Sequence, residues 1–221
     1  MKKTFLFLGI IALAFTVSAC TNGVQNNTIG DVDINNSDNN EQATIDSGEY
    51  IVNADASNVE WFGERIVGNS HVGDIEIKSG SLNISDNKIS SGEFVIDMTT
   101  ISDSEASARL ETHLRSDDFF SVNEYPEAKL VIKDSNIISS NSDEEVLLEV
   151  QADLTIKEIT EPIEFITTLK KENNNLLANS ELSIDRTKWD IKYDSGNFFQ
   201  DLGDRAIKDE IFFDVNIVAS E

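Results

Sequence analysis

The sequence predicts an all-β protein, an antiparallel up-and-down barrel of about eight strands with one short helix and an aromatic lid segment. Three observations lead to this prediction. Apolar and polar residues alternate over most of residues 49–221, as they do in strands with one buried face. Clusters of Asp, Asn and Ser separate the alternating stretches at short intervals, which is typical of antiparallel hairpins. The alternation clearly gives way only between residues 105 and 126.

The chain before this domain is predicted to be an export signal and a tether. A basic start precedes an apolar run over residues 5–17, which is too short to span a bilayer and typical of a signal peptide, residues 1–19. Small residues before Cys20, the only cysteine, resemble a bacterial lipobox, in which the cysteine is lipidated and begins the mature chain. Residues 20–48 are rich in Asn, Asp and Ser without an apolar period, and this composition predicts a flexible tether.

These features predict a lipid-anchored protein of the bacterial cell envelope, with its domain in the periplasm or at the cell surface. The outer membrane is preferred because Thr21, rather than aspartate, follows the cysteine. The alternative is ordinary signal cleavage beside a coincidental cysteine.

The charge of the chain limits its partners. Lys and Arg number 17 against 41 Asp and Glu, a formal net charge of −24 at pH 7. This charge repels nucleic acid, so no nucleic-acid partner is expected, and the sequence specifies no protein partner.

The predicted strands leave two architectures open, a sandwich and a closed barrel. Several of them reach ten or eleven residues, about 35 Å, which is long for a sandwich of this size. A barrel also removes the exposed edges of such strands, so the barrel is favoured. The candidate strands are residues 50–54, 59–65, 74–84, 88–98, 128–138, 146–156, 163–169, 176–186 and 211–219.

Residues 105–126 are predicted to form the lid. Ala106, Leu110 and Leu114 recur every four residues on one helical stripe, which His113 joins. Ser102 and Glu105 have capping-box spacing, and Glu111 lies four residues before Arg115, the favourable order for a helical ion pair. Phe119 and Phe120 follow and are expected to close one end of the barrel.

No catalytic or metal site is predicted. Two histidines cannot supply a three-histidine zinc site, and neither H-E-x-x-H nor C-x-x-C spacing occurs. No serine occupies a G-x-S-x-G elbow, and no glycine-rich phosphate loop follows a strand. We therefore expect a protein that is not an enzyme and has no cofactor or metal.

Five sequence blocks occur in order: Trp61-x-Gly63 with His71-Val72-Gly73, the strand 92–98, the block 113–120 with Tyr125-Pro126, Leu154-Thr155-Ile156, and Asp185-Arg186-Thr187 with Ile191 and Tyr193. Together they resemble the YceI-like family, polyisoprenoid-binding-like proteins of the bacterial envelope with a lipocalin-like barrel. The resemblance covers essentially all of residues 49–221. Ala152-Asp153, Lys157-Glu158 and Asp190 stand where the family usually has glycine, and the first two of these departures concern turn and bulge geometry.

The resemblance implies a hollow barrel that binds an isoprenoid, a quinone or a fatty-acid-like amphiphile. From the residues alone, inward apolar side chains indicate a packed core, and a ligand-free acidic interaction module is the alternative function. The candidate ligand-binding residues are Phe94, Ile96, Met98, Leu110, His113, Leu114, Phe119, Phe120, Leu148, Leu154, Phe165, Ile184, Arg186, Trp189 and Phe213.

Three polar candidates have simpler structural explanations. His71 is expected between strands, in a turn or strand-end hydrogen bond. His113 is expected to be half-buried with its hydrogen bonds satisfied, and as a ligand contact it would donate to a polar head. Arg186 points inward by strand parity, where an arginine must be paired or must meet a ligand, and a structural ion pair is favoured. Asp97 is a candidate partner, although its own strand parity places it outward.

The expected ligand combines a long apolar tail with a small head group. A barrel 30–40 Å long accommodates about eight isoprene units. A neutral or weakly charged head is expected, because acidic residues surround the few basic residues near the predicted openings. Those basic residues are Arg109, Arg115, Arg186, Lys188 and Lys192.

Overall fold

The computed structural model describes residues 44–141 and 145–221. The predicted signal peptide, Cys20 and all but the end of the predicted tether lie outside these residues. Residues 44–47, which the sequence assigned to the tether, pack on the domain. The side chain of Ile45 is buried in the core, and its backbone N–H donates to Asn87 Oδ1 at 2.7 Å. No helix within the described residues is long and apolar enough to cross a membrane.

Nine strands and one α-helix form the described domain. They are β1 Gly48–Val52, β2 Asn58–Glu64, β3 Ser70–Ser85, β4 Lys88–Asp97, α1 Ala108–Arg115, β5 Glu127–Ser140, β6 Glu145–Ile156, β7 Ile159–Glu172, β8 Asn175–Asp185 and β9 Glu210–Ser220. Four short 3₁₀ helices, Ala54–Ala56, Met98–Thr100, Arg186–Trp189 and Gly203–Arg205, lie between them.

The strands close into an antiparallel barrel with eight strand positions. Each strand from β4 to β9 pairs with the next, β9 pairs with β2, β2 with β3, and β3 with β4, which completes the ring. The short β1 and β2 share one position, because both pair with β3 and with β9 at different heights. The predicted all-β barrel is therefore confirmed, and the sandwich is excluded.

Residues with a left-handed backbone conformation occupy two of the positions where the family pattern has glycine. Lys157 and Glu158, with φ of 51° and 61°, make the two-residue turn between β6 and β7. Asp190, with φ of 58°, ends the 3₁₀ helix Arg186–Trp189. Non-glycine residues thus hold the turn conformation that these departures left open.

The two ends of the barrel differ in their packing. At one end, called the closed end, fully buried Tyr50, Leu148, Leu169 and Leu176 fill the interior together with Ile45. The opposite lid end is covered by the segment between β4 and β5, which includes α1, and by the segment between β8 and β9. Any accessible interior space therefore lies in the middle of the barrel and toward the lid end.

The lid helix begins later than predicted. It covers Ala108–Arg115, with Ser107 as its N-cap, and Ala106 has a left-handed backbone with φ of 55°. The capping box expected from Ser102 and Glu105 is therefore wrong. The predicted ion pair between Glu111 and Arg115 forms at 3.7 Å.

Strands β7 and β8 separate toward the lid end. They pair only from Ile166 with Glu181 to Glu172 with Asn175. Trp189, fully buried, packs in the lid-end core beside Ile163 and Leu182 of the separating strands, and its indole N–H donates to the carbonyl of Leu154 at 3.1 Å. Trp189 is therefore a structural residue that occupies the space where β7 and β8 separate.

Candidate functional site

An apolar cavity of about 140 Å³ occupies the interior of the barrel. Only Thr167 and Ser180 contribute polar side-chain atoms to its wall, and the Thr167 hydroxyl donates to the carbonyl of Asn179. The apolar lining comes from all eight strand positions and the lid: Val59, Ile75, Ile77, Leu82, Ile89, Phe94, Ile96, Met98, Phe120, Ala128, Leu130, Ile132, Leu154, Ile156, Ile163, Phe165, Ala178, Leu182, Phe213, Val215 and Ile217.

The residues that line the inner cavity extend along much of the barrel. Its lining on one side extends from Ile89 to Met98, roughly 30 Å along the strand and about 20–25 Å along the axis of a tilted barrel. A path of that length corresponds to about five extended isoprene units at roughly 4–5 Å each. A chain of the expected eight units would have to extend beyond the inner cavity toward the lid end, because the strands are tilted and the closed end is filled by side chains such as Leu148.

A second cavity, of about 360 Å³, lies under the lid. Ile75, Phe120 and Phe213 line both this lid-end cavity and the inner cavity, so these three side chains form the boundary between them. Its wall is mixed, since Trp61, Leu110, Leu114 and Phe119 alternate there with charged and polar residues. The apolar inner cavity and the mixed lid-end cavity therefore match the apolar tail and the polar head of an elongated amphiphile.

A close backbone approach at Gly73 anchors the lid to β3. A Cβ on Gly73 would lie 1.8 Å from the Ser102 carbonyl oxygen. That carbonyl accepts from the Trp61 indole N–H at 3.0 Å, and the backbone N–H of Ser102 donates to the Asp74 carbonyl. The Trp and His-x-Gly motifs of the sequence therefore hold the lid segment against the barrel.

An aromatic cluster lies at the base of the lid. The ring of His113 packs edge-on against Phe119 and against Tyr193, at centroid distances of 5.0 and 4.6 Å. Its Nε2 is 3.0 Å from Asp118 Oδ2. His113 is thus half-buried and paired, as predicted from its position, and it also lines the lid-end cavity.

Arg186 is buried and its donors are all engaged. The guanidinium donates to the carbonyls of Ile191, Tyr193, Ile207 and Lys208, and it pairs with Asp209 at 3.0 Å. Burial lowers the pKa of Arg186, and the Asp209 carboxylate opposes that shift. The guanidinium joins the segment after β8 to the start of β9 and has no donor left for a ligand.

The expected partner of Arg186 was wrong. Asp97 instead caps the 3₁₀ helix Met98–Thr100, where it accepts from the backbone N–H and the hydroxyl of Thr99.

His71 faces the lid-end cavity from within β3. Its Nδ1 lies 3.4 Å from Oδ1 of Asp103, a carboxylate whose side chain is fully buried. The other Asp103 oxygen accepts from the backbone N–H of Ser107 at the start of the lid helix. The two groups are in ion-pair range but form no hydrogen bond. His71 is the second residue of β3, so it lies at a strand end, as one of the two expectations had it, and not in a turn.

Two arginines in the wall of the lid-end cavity have no ion-pair partner within the described part of the chain. They are Arg65, from the β2–β3 loop, and Arg109, from the lid helix. Lys208, which also lines this cavity, pairs with Glu64 at 2.5 Å. Glu64 and Asn69 also line this cavity, so its wall combines two exposed, unpaired arginines with acidic and neutral polar groups.

The two cavities contain most of the predicted ligand-binding residues. Leu148, Ile184 and Trp189 line neither cavity and belong to the packed core. The inner cavity contains Phe94, Ile96, Met98, Leu154 and Phe165, the lid-end cavity contains Leu110, His113, Leu114, Phe119 and Arg186, and Phe120 and Phe213 line both.

Two polar residues of the lid-end cavity, His71 and Arg65, were not predicted as ligand-binding residues. His71 shares the inward parity of Ile75 and Ile77 in β3, and that pattern would have placed it inside the barrel. No sequence pattern identifies Arg65 as a cavity residue, because it lies in a loop, where side chains do not alternate between an inward and an outward face. Its place in the cavity depends on how β2 and β3 turn over the lid end.

Comparison with solved structures shows the same fold at low sequence identity. Burkholderia cenocepacia BcnA is 19% identical with a TM-score of 0.58, over 76% of this chain and 99% of that chain. A polyisoprenoid binding domain from Saccharophagus degradans, implicated in plant cell wall breakdown, is 14% identical with a TM-score of 0.58, over 77% of this chain and 97% of that chain.

A YCEI protein from Campylobacter jejuni is 14% identical with a TM-score of 0.50, over 72% of this chain and 84% of that chain. The first two structures are matched over almost their whole length, so the likeness covers the complete barrel. No curated protein sequence matches the chain. The family model of the YceI-like domain matches residues 50–219, and the chain therefore belongs to the YceI-like family.

Proposed function

We propose that the domain binds one elongated apolar molecule, an isoprenoid-type or other long amphiphile, and acts as a non-catalytic carrier or buffer in the cell envelope. The observation that carries the proposal is the inner cavity of about 140 Å³, whose wall is almost entirely apolar and is built from all eight strand positions. Transfer of an apolar chain from water to this wall is favourable by about 25 cal/mol per Å². The Saccharophagus domain of the same fold is described as polyisoprenoid binding.

The head group of the ligand is placed in the lid-end cavity. Arg65, Arg109 and His71 supply donors there, so the head is expected to carry acceptor oxygens, as in a prenol, a quinone, a carboxylate or a phosphate. The expectation of a neutral head rested on a shortage of free basic residues near the opening. Arg65 and Arg109 now weaken that argument, because at physiological salt charges beyond about 8 Å are largely screened and nearby groups dominate.

The location of the protein is a separate proposal that rests on the sequence. Lipidation of Cys20 would anchor the domain to a membrane, with the outer membrane preferred. An apolar ligand resides in membranes, so an anchored carrier remains near its source.

A cavity-filling pair of variants distinguishes a carrier from a solid barrel. Ala178→Phe places a ring in the inner cavity, whereas Ala152→Phe, in a neighbouring part of the same core, meets packed side chains. The experiments use a fragment of residues 39–221, which form one compact unit. We expect Ala178→Phe to change its free energy of unfolding by less than about 1 kcal/mol and to abolish its binding of octaprenol. Ala152→Phe should cost about 1–3 kcal/mol by overpacking.

Equal destabilisation by the two variants, with no octaprenol bound by the wild-type domain, would support the ligand-free module instead. Mass spectrometry of organic extracts from the purified wild-type and Ala178→Phe proteins provides an independent check. The expected ligand is present in the first extract and missing from the second.

A further inference from the structure

Four large apolar side chains project into solvent from two loops at the lid end. Ile66 and Val67 belong to the loop between β2 and β3 and are 58% and 56% exposed. Phe198 and Phe199 belong to the segment between β8 and β9 and are each 50% exposed. We call these four residues the apolar tip.

Backbone contacts hold the two loops together. The N–H of Ile66 donates to the Ala206 carbonyl at 2.8 Å, and Arg65 forms a bridge with Ile207. The Cδ1 of Ile66 lies 3.9 Å from the position that a Cβ on Gly196 would take, two residues before Phe198. The tip is therefore one surface rather than two independent loops.

The same loops line the lid-end cavity. Arg65, Tyr193, Ile207 and Lys208 belong to its wall, so the apolar tip lies at the margin of the proposed binding site. A molecule that leaves the cavity on this side passes the tip.

The basic residues of the tip loops are partly paired. Lys192 pairs with Asp190 and Lys208 with Glu64, both at 2.5 Å, whereas Arg65 and Arg205 have no ion-pair partner within the described residues. Lys192 also lies over the ring of Phe198, at 4.9 Å from its centroid. Arg65 and Arg205 thus give the tip two unpaired positive charges that can attract a phosphate-bearing surface, on a chain whose formal net charge is −24.

The size of the tip favours a bilayer over a protein partner. Four half-exposed side chains present a few hundred Å² of apolar surface, below the roughly 800 Å² that each partner of a stable protein complex buries. Insertion of a few aromatic and aliphatic side chains beside basic residues is instead the usual mode of interfacial membrane binding.

We propose that the apolar tip inserts into the surface of a phospholipid bilayer and brings the lid-end cavity to the membrane interface. The inference deepens the proposed function, since it names the surface with which the carrier would exchange its ligand. Membrane binding by the tip is nevertheless a property of the empty domain, and it can be measured without any ligand.

The test is flotation of residues 39–221 with vesicles of phosphatidylcholine, pure or mixed with phosphatidylglycerol. The Phe198→Asp/Phe199→Asp variant is compared with Ile137→Asp/Ile138→Asp, whose residues are 40% and 53% exposed near the closed end. Both variants add the same charge at exposed positions. We expect the wild type and the closed-end variant to float with vesicles, and the tip variant to lose at least about tenfold in bound fraction.

Three results would overturn the inference. The first is a wild-type domain that binds neither kind of vesicle, and the second is an equal loss of binding in the two variants. The third is a wild-type dimer in sedimentation that the tip substitutions dissociate. Melting curves establish that each variant is folded.

Octaprenol titration without vesicles separates this inference from the proposed function. Wild-type protein that binds vesicles through the tip but takes up no octaprenol would refute the proposed function and leave the inference standing. A wild-type domain that binds octaprenol but does not bind vesicles would refute the inference and leave the proposed function standing.

Discussion

Replacement of Gly73 by alanine tests how the lid is attached to the barrel. The new Cβ would meet the Ser102 carbonyl oxygen at 1.8 Å and the Trp61 indole nitrogen at 2.7 Å. Ordinary contacts begin near 3.4 Å, so the segment around Ser102 must move by about 1.5 Å. Backbone atoms on both sides of the contact leave no flexible side chain to yield.

This movement breaks the hydrogen bonds that hold the lid segment. They join Trp61 Nε1–H to the Ser102 carbonyl at 3.0 Å, Ser102 N–H to the Asp74 carbonyl at 3.0 Å, and Ser104 N–H to the Val72 carbonyl at 2.8 Å. At about 1 kcal/mol each, their loss would destabilise the domain by about 3 kcal/mol. The expected fall in melting temperature is about 6–12 °C for a domain of this size.

Gly63→Ala provides the matched control, because Gly63 lies on the adjacent strand and a Cβ there meets only a Trp61 ring carbon at 3.8 Å. Thermal melts of residues 39–221 followed by circular dichroism would compare the two variants with the wild type. A Gly73→Ala melting temperature within about 2 °C of the Gly63→Ala value would refute the attachment of the lid through Gly73 and Ser102.

Two further predictions concern the ligand head and the anchor. Arg65→Ala/Arg109→Ala should weaken binding of octaprenyl diphosphate by tenfold or more, at about 1.5–3 kcal/mol for a hydrogen bond to a charged group, and should weaken octaprenol binding less, at about 0.5–1.5 kcal/mol for a neutral hydroxyl. Parallel titrations compare the two ligands, and unchanged affinity for both would contradict a head site at these arginines. Cys20→Ser in the full chain should abolish lipidation and leave a soluble or unprocessed protein on cell fractionation, whereas a mature, membrane-retained Cys20→Ser protein would exclude the lipid anchor.

The lid region shows which sequence patterns were sufficient and which were not. The four-residue spacing of Leu110 and Leu114 and the placement of Glu111 before Arg115 identified the helix and its ion pair, because both depend on neighbours within the helix. The start of the helix was misplaced. The helix is capped by Ser107, whose hydroxyl accepts from the backbone N–H of Leu110. The backbone N–H of Ser107 donates to Asp103, which is buried and lies 3.4 Å from His71 of β3, so the position of the cap depends on tertiary contacts.

The sequence by itself determined the existence of the strands, their antiparallel order and the inward face of strands without a bulge, such as β6; bulges in β3 and β5 reverse the parity partway along the strand. These properties depend on a two-residue period and on short turns, which are local. Parity of this kind correctly placed Phe94, Phe165 and Phe213 on the inner surface of the barrel.

Only the tertiary structure decided which inward side chains border space and which are packed. Leu148 and Leu154 share one face of β6, yet Leu148 fills the closed end and Leu154 lines the inner cavity. The difference depends on what the opposite wall contributes at each height, which alternation along one strand does not encode. The same reason applies to Arg186, whose partner Asp209 lies beyond a long loop, and to Arg65, which the barrel brings to the lid-end cavity.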